Sequence, residues 1–325
     1  MSILVYLENA GGKFKKPAFE AASYAVELGK SLGLPVTGVT IGSIDGSEIQ
    51  AVAKYGITEV IHVNGAGLDK FVEQAYGSAL AEAIKAVNPK FVVLPQTYST
   101  RAFGPRLSVK FKAGYLSGIT SLVYEGNKGY HAKRIANSGK SIEEVSAATP
   151  VIIVSVKANG YGLKENPVGS VSVKSHEYAA STNDLRLKPV AIEKASDKIS
   201  LTEADVVVSA GRGMGSPDNW GSVEELAELL GAATACSKPV ADIHWRPHHE
   251  HVGQTGIQIA PNFYFAFGIS GAIQHLAGVN QSKTILVVNK DKDAPFFKAA
   301  DYGIVGDVNE VVPAIVKAVK AAKGM

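Results

Sequence analysis

The residues best suited to chemistry in this chain sit on two short turns, Val252-Gly-Gln-Thr-Gly256 and Gly268-Ile-Ser-Gly-Ala-Ile-Gln-His275. Gln254 and Thr255 offer an amide and a hydroxyl that can hydrogen-bond the heteroatom edge of a ring system; the competing use of Thr255 is to close a turn on its own backbone. Ser270 is a candidate helix N-cap, Gly271 permits close approach, and Gln274 and His275 fall in the opening of a helical pattern. Amides at such an opening lack intrahelical partners, and pyrophosphates commonly bind there. A third turn, Gly211-Arg-Gly-Met-Gly215, lies between a strand pattern and a helix, but Ser216 takes the last glycine slot of G-x-G-x-x-G. Arg212 beside exposed amides would make a bidentate phosphate clamp. The chemistry implied is retention of a large, planar, anionic cofactor in the C-terminal third.

Other constellations are weaker. His244, His248, His249 and His251 crowd one loop with Glu250, but no carboxylate or cysteine completes a tetrahedral set at a telling spacing, so no metal is expected and a solvated or interface loop is the better reading. Gly139-Lys140-Ser141 mimics the end of a P-loop, but Arg134 stands where the first glycine is required. There is no G-x-S-x-G, no H-E-x-x-H and no convincing nucleophile–base pair, so no catalytic residue is expected. The single cysteine, Cys236, excludes an internal disulfide and suits a reducing compartment. A net charge of +3 without a basic block argues against nucleic acid as a partner. No apolar run approaches the roughly 20 residues that cross a bilayer, and the opening SILVYLE reads as a strand rather than a targeting segment. The expectation is a cytoplasmic protein in a bacterium, or a processed mitochondrial matrix protein in a eukaryote.

The elements that must hold these turns alternate regularly. Strands are predicted at 3–7, 36–41, 59–63 and 90–94, with helices from Pro17 to Gly33, over 48–55 and over 70–87. That beat implies right-handed crossovers and a parallel sheet. Between about 118 and 175, Thr, Ser and Val with Gly126-Asn127 and Asn159-Gly160 turns predict antiparallel strands added to that sheet. Residues 181–203 are polar, and 191–203 is the linker expected between an N-terminal domain (1–190) and a C-terminal domain (204–325). The second domain reads as strands at 205–209, 262–267, 285–289 and 302–305, with helices at 220–231 and 311–323. The 325 residues suit two cores, and both domains are expected to be α/β, each a mostly parallel twisted sheet flanked by helices.

Gly211-Arg-Gly213, CSKPVAD (236–242), VGQTG (252–256), YFAFGISGAIQHLAG (264–278), TILVVNKD (284–291) and ADYGIVGD (300–307) together resemble the α subunit of electron transfer flavoprotein, as does the opening LVYLE. The resemblance spans essentially the whole chain. It implies a Rossmann-like FAD-binding domain at the C-terminal end and a heterodimer with a β subunit that carries AMP, or a second FAD in bifurcating relatives. It further implies that Arg212, Ser237, Lys238, Val252, Gly253, Gln254, Thr255, Ser270, Gly271, Ala272, Ile273, Gln274, His275, Asn289, Asp307 and Val308 line the FAD. Within this set Ser237 would lie beside the flavin ring, Thr255 would bond N5 and His275 would lie near the N1/C2=O edge.

The protein so described is an electron carrier and not an enzyme. The resemblance implies that it would take electrons from acyl-CoA dehydrogenase-type flavoproteins of fatty acid β-oxidation and pass them to a quinone oxidoreductase, with Lys238, Thr255 and His275 tuning the flavin. Lys238 replaces the arginine common in the family, keeping the charge but losing the planar fork. A unit charge ~4 Å from the ring is worth about 4 kcal/mol at an effective dielectric of 20, or roughly 170 mV for one electron. The alternative class is a flavin- or NAD-dependent dehydrogenase acting directly on a small substrate, which needs a positioned base. A third is a regulatory or structural nucleotide-binding protein.

Overall fold

Ile3-Leu-Val-Tyr6 is apolar at every position, the pattern of a strand covered on both faces. In the computed structural model, which describes residues 1–191 and 199–325, this run is β1 (Ile3–Tyr6), buried throughout. Two compact units are present: among the described residues the first comprises 1–136 and 142–191, the second 137–141 and 199–325. Of the linker expected over 191–203, residues 192–198 lie outside the described residues. Leu201 and Ala204 are buried in the core of the second unit.

In the first unit, the short ribbon of β2 (Asn9–Ala10) and β3 (Lys13–Phe14) leads into α1 (Lys16–Leu32), with Pro17 in its first turn and Gly33 left-handed at its end. Then come β4 (Val36–Ile41), α2 (Gly46–Gln50), β5 (Glu59–Asn64), α3 (Glu73–Val87), β6 (Phe91–Pro95), α4 (Tyr98–Phe111) and β7 (Gly114–Ile119). The unit continues with β8 (Tyr124–Gly126), β9 (Gly129–Ala136), β10 (Ser141–Ala147), β11 (Ile152–Val156) and β12 (Ser172–Glu177). These strands form one sheet in the order β10-β9-β7-β11-β6-β1-β4-β5-β12, with β8 paired to β9.

The expected antiparallel region is only partly so. The pairs β7/β9 and β8/β9 are antiparallel, whereas β11 runs parallel between β6 and β7, and β12 runs parallel to β5. Ile152-Ile-Val-Ser-Val156 is buried throughout, and such a run belongs inside a parallel sheet rather than in an exposed hairpin. The expected helix at 48–55 divides into α2 and a 3-10 turn (Ala51–Tyr55), and the one expected from Lys70 starts at Glu73. Helix α4 was not anticipated, because Pro105 interrupts its pattern; Thr97 and Thr100 start it with a reciprocal capping box.

The second unit contains β13 (Val206–Ala210), α5 (Gly221–Leu230), β14 (Ala233–Cys236), α6 (Lys238–Asp242), β15 (Phe263–Phe267), α7 (Ile273–Val279), β16 (Thr284–Asn289), β17 (Tyr302–Val305) and α8 (Val308–Ala322). All pairings are parallel, in the order β14-β13-β15-β16-β17. The winding therefore reverses between β13 and β15, and in such sheets ligands bind beyond the carboxyl ends of the strands at that reversal. On one face Val208, Ala210, Phe265 and Phe267 pack under α5 and α8; on the other Val207, Tyr264, Ala266 and Val287 pack under Leu276, Val279 and Phe296. Helix α8 begins three residues before the predicted Val311, because the Asp307 side chain accepts the Asn309 amide at 2.8 Å and caps it. Among the described residues no helix is long and apolar enough to cross a membrane.

Candidate functional site

The expected site residues gather on the carboxyl-end loops of the second sheet. Arg212 follows β13, Ser237 and Lys238 follow β14, Ser270 to His275 follow β15, Asn289 ends β16, and Asp307 and Val308 follow β17. The winding reversal lies between Gly211-Arg-Gly213 and Gly268. Here Gly211 N–H donates to Phe267 O at 2.9 Å and Gly213 N–H to Gly268 O at 3.0 Å. A Cβ on Gly213 would lie 2.5 Å from Gly268 Cα, so these glycines bring two backbones together. This corrects the expected phosphate clamp: the two glycine amides are already bonded to carbonyls. The Arg212 side chain is exposed and makes no hydrogen bond or ion pair among the described residues.

The Val252–Gly256 turn belongs to neither strand, and hydrogen bonds hold it at this edge from two sides. Val252 N–H donates to Cys236 O at the end of β14 (3.1 Å), and Gln254 N–H to Gln274 O in α7 (2.7 Å). Two motifs that are twenty residues apart in sequence are thereby joined directly. Gln254 and Thr255 are exposed, and Thr255 Oγ1 closes no turn. Val252 and Val308 bury their side chains in the two cores, leaving only their backbones to the edge.

After β15 the chain does not enter the helix at Ser270 as expected. Ala272 takes the N-cap position, without a side-chain cap, and α7 starts at Ile273. The cause is Gly271, whose φ of 81° and contact with the Phe296 backbone bend the chain first. The amides of Ser270, Gly271 and Ala272 find no acceptor among the described residues. Asn289 has an internal role: its Nδ2 donates to Ile269 O at 3.1 Å, and its Oδ1 accepts Asp291 N–H at 3.0 Å.

His275 is buried. Its Nε2 lies 2.9 Å from Tyr264 Oη, and its Nδ1 has no hydrogen-bond partner. Desolvation, with the neighbouring His251 adding to it, brings its pKa down to about 4, against the Val252 carbonyl, which raises it. A buried nitrogen without a partner costs on the order of 1–3 kcal/mol, so this one marks a place where a ligand atom would be welcome. Burial, with Glu250 adding to it, pushes the Cys236 thiol up to about 12, which makes it inert as a nucleophile.

The histidine-rich loop holds no metal-binding cluster among the described residues. Its organising residue, not anticipated from sequence, is Arg246. Its guanidinium grips Glu250 through two hydrogen bonds (2.7 and 2.8 Å), reaches Glu224 of α5 at 2.6 Å and lies 5.0 Å from the centre of the Trp220 ring. Glu250 also accepts from Thr234 Oγ1 of β14 at 2.9 Å. Opposite charges four residues apart were the available signal. The clamp anchors the segment that joins Lys238 to the Val252–Gly256 turn.

A doubly wound parallel sheet whose reversal point is ringed by acceptor-less amides, an orphaned imidazole nitrogen and unpaired polar side chains defines a nucleotide-cofactor-binding α/β unit. Sequence comparison narrows the class. The pattern "Electron transfer flavoprotein domain" matches residues 3–181, and "Electron transfer flavoprotein FAD-binding domain" matches 200–280. The chain is 36% identical over 327 residues to an electron transfer flavoprotein subunit alpha of Mycobacterium tuberculosis, covering 99% of both chains. It is 32% identical to the subunits of that name from Thermoanaerobacterium thermosaccharolyticum (99% of this chain, 98% of the relative) and Bacillus subtilis (98% and 97%). The chain belongs to the electron transfer flavoprotein α-subunit family, and its second unit contains that family's FAD-binding domain. The free groups at the edge fit such a cofactor: amide donors for a pyrophosphate and a buried imidazole for a heterocycle.

Proposed function

We propose that the carboxyl edge of the β13–β17 sheet holds FAD and that the chain is the flavin-bearing half of a heterodimer with a β subunit. The observation that carries this is the convergence of acceptor-less amides 270–272, the exposed Arg212, Lys238 and Thr255 side chains and the orphaned His275 Nδ1 on one reversal point. In this reading Arg212 and those amides bind the pyrophosphate, and Ser237, Lys238, Thr255 and His275 address the ring. Gln254, Ile273 and Gln274 complete the surround, with Gly253, Asn289, Asp307 and Val308 shaping the loops. FAD supplies reversible one- and two-electron uptake when bound.

The chain's own contribution is placement and electrostatics. Lys238 and the amides set the charge the ring meets, and the interlocked loops hold it in one orientation. Neither His275, brought down to about 4, nor the Cys236 thiol, pushed up to about 12, is poised as a general base near neutral pH. That favours a carrier over a dehydrogenase acting directly on a small substrate. The donors would be acyl-CoA dehydrogenase-type flavoproteins and the acceptor a quinone oxidoreductase, with AMP in the β subunit and a cytoplasmic location in a bacterial cell. The test is co-expression with the β subunit, a visible spectrum and nucleotide analysis, then mixing with an acyl-CoA dehydrogenase and its substrate. A flavin absorbance bleached only through the partner enzyme is expected; a complex that stays colourless with excess FAD rejects the reading.

A further inference from the structure

The Val252–Gly256 turn is closed on itself as well as tied to its neighbours. Gly256 N–H donates to Gly253 O at 3.2 Å, and at its base Ile257 N–H donates to His251 O at 2.9 Å. Gln254 and Thr255 are thereby the two central residues of a tight turn. The His251 imidazole is buried beside this turn and spans its two glycines. A Cβ on Gly256 would come within 2.8 Å of Nδ1 and 2.9 Å of Cε1, and one on Gly253 within 3.3 Å of Nε2. Neither ring nitrogen has a hydrogen-bond partner among the described residues. The charged and titratable groups around the ring are Lys238 and Asp242 of α6, His248 of the preceding turn and His275 of α7. Burial lowers the His251 pKa from the ordinary 6.5; Asp242 opposes this, and Lys238 and His248 add to it. A ring that gains a proton here becomes a buried cation against the turn, with no anion in hydrogen-bonding contact.

We propose that His251 is a positioning residue for the cofactor edge: its neutral imidazole supports the Gly253–Gly256 turn, and gain of a proton there shifts Gln254 and Thr255 away from the ligand. The proposal rests on the flavin reading for the ligand, but not for the coupling between ring and turn. The fold favours the neutral ring, so the support is whole above about pH 6.5 and fails as pH falls below it. His275, brought down to about 4, gains its proton further into acid, which separates the two histidines on the pH axis.

The experiment uses the full-length chain with its β subunit, carrying 13C-histidine and 15N-threonine, with FAD bound and after FAD is stripped. Loss of a signal in His251→Gln assigns the ring, and loss in Thr255→Ser assigns the Thr255 amide. In the stripped wild-type complex the Thr255 amide is expected to shift with the same midpoint as the His251 ring. FAD affinity, measured by titrating the stripped complex, is expected to weaken about tenfold between pH 7 and pH 5. His251→Gln keeps His248 and Asp242 but cannot gain the proton, and its affinity profile over that range is expected to be flat. Parallel profiles for wild type and His251→Gln overturn the proposal. So does a Thr255 amide that stays fixed while the ring titrates, a result read in the wild-type complex. Failure of FAD to bind at any pH would sink the flavin reading instead, while the coupling of ring and turn would still be measured in the stripped complex.

Discussion

The two parallel sheets end differently at their carboxyl edges. In the first unit the polar groups there satisfy one another. Thr97 caps α4 and donates to Glu8, Asn9 donates to the Ile41 carbonyl at 2.8 Å, and Gln96 to Ser117. Close by, the buried Glu20 carboxylate accepts the amides of Asn159, Tyr161 and Gly162 at 2.6 to 2.8 Å. In the second unit Arg212, Lys238, Thr255 and the amides 270–272 have no partners among the described residues. Similar sheets thus differ in ligand capacity because one edge is closed by its own side chains and the other is left open. Stability in the second unit is supplied behind the edge, by the Arg246 clamp and the glycine contact.

The largest effect that would break this contrast is loss of the clamp. Glu250→Ala leaves a mostly buried guanidinium without its main partner and is expected to destabilise the second unit by about 3–5 kcal/mol. Trp220 and Trp245, the two tryptophans of the chain, both lie in that unit, so their fluorescence in denaturant reads it selectively.

Acid should separate the units. A histidine with a depressed folded pKa lends stability that is whole above about 6.5 and lost as pH falls to about 4. For His275 this is about 3 kcal/mol. In the first unit, burial would raise the Asp184 pKa, but hydrogen bonds from Ser181, Ser78 and Tyr178 outweigh it and hold the carboxyl at about 2. Its contribution, about 2 kcal/mol, is kept down to about pH 4 and lost only below. Tryptophan fluorescence should therefore report weakening between pH 6.5 and 4 before circular dichroism reports loss of the first unit.

A third comparison lies within the second unit. Gly213→Ala forces a Cβ into the Gly268 backbone and should cost about 1–3 kcal/mol, whereas Gly221→Ala meets open space and should gain a few tenths of a kcal/mol. Denaturant midpoints at constant slope check both. The smallest effect is expected at Lys238. Its side chain is exposed, so the full Coulomb figure does not apply, and Lys238→Ala should lower the first one-electron potential by about 40 mV or less while FAD stays bound. Removing the Thr255 hydroxyl as well should widen the shift, and potentiometric titration reads both.

The alternation of strands and helices, the two-core organisation and the polar turns of the second half were legible in the residues themselves. Periodicity and glycine–polar clusters are local signals, and burial on both faces writes itself into runs such as Ile3–Tyr6 and Phe263–Phe267. The order of the strands was not legible, so neither the parallel seat of β11 nor the reversal between β13 and β15 could be read ahead. Nor could the spent amides of Gly211 and Gly213, because their acceptors lie more than fifty residues downstream. The types and places of the groups able to meet a cofactor were thus set by the one-dimensional order of residues. Which of them are consumed by the protein and which remain free, as with Asn289 against His275 Nδ1, was decided only when distant backbones came within hydrogen-bonding distance.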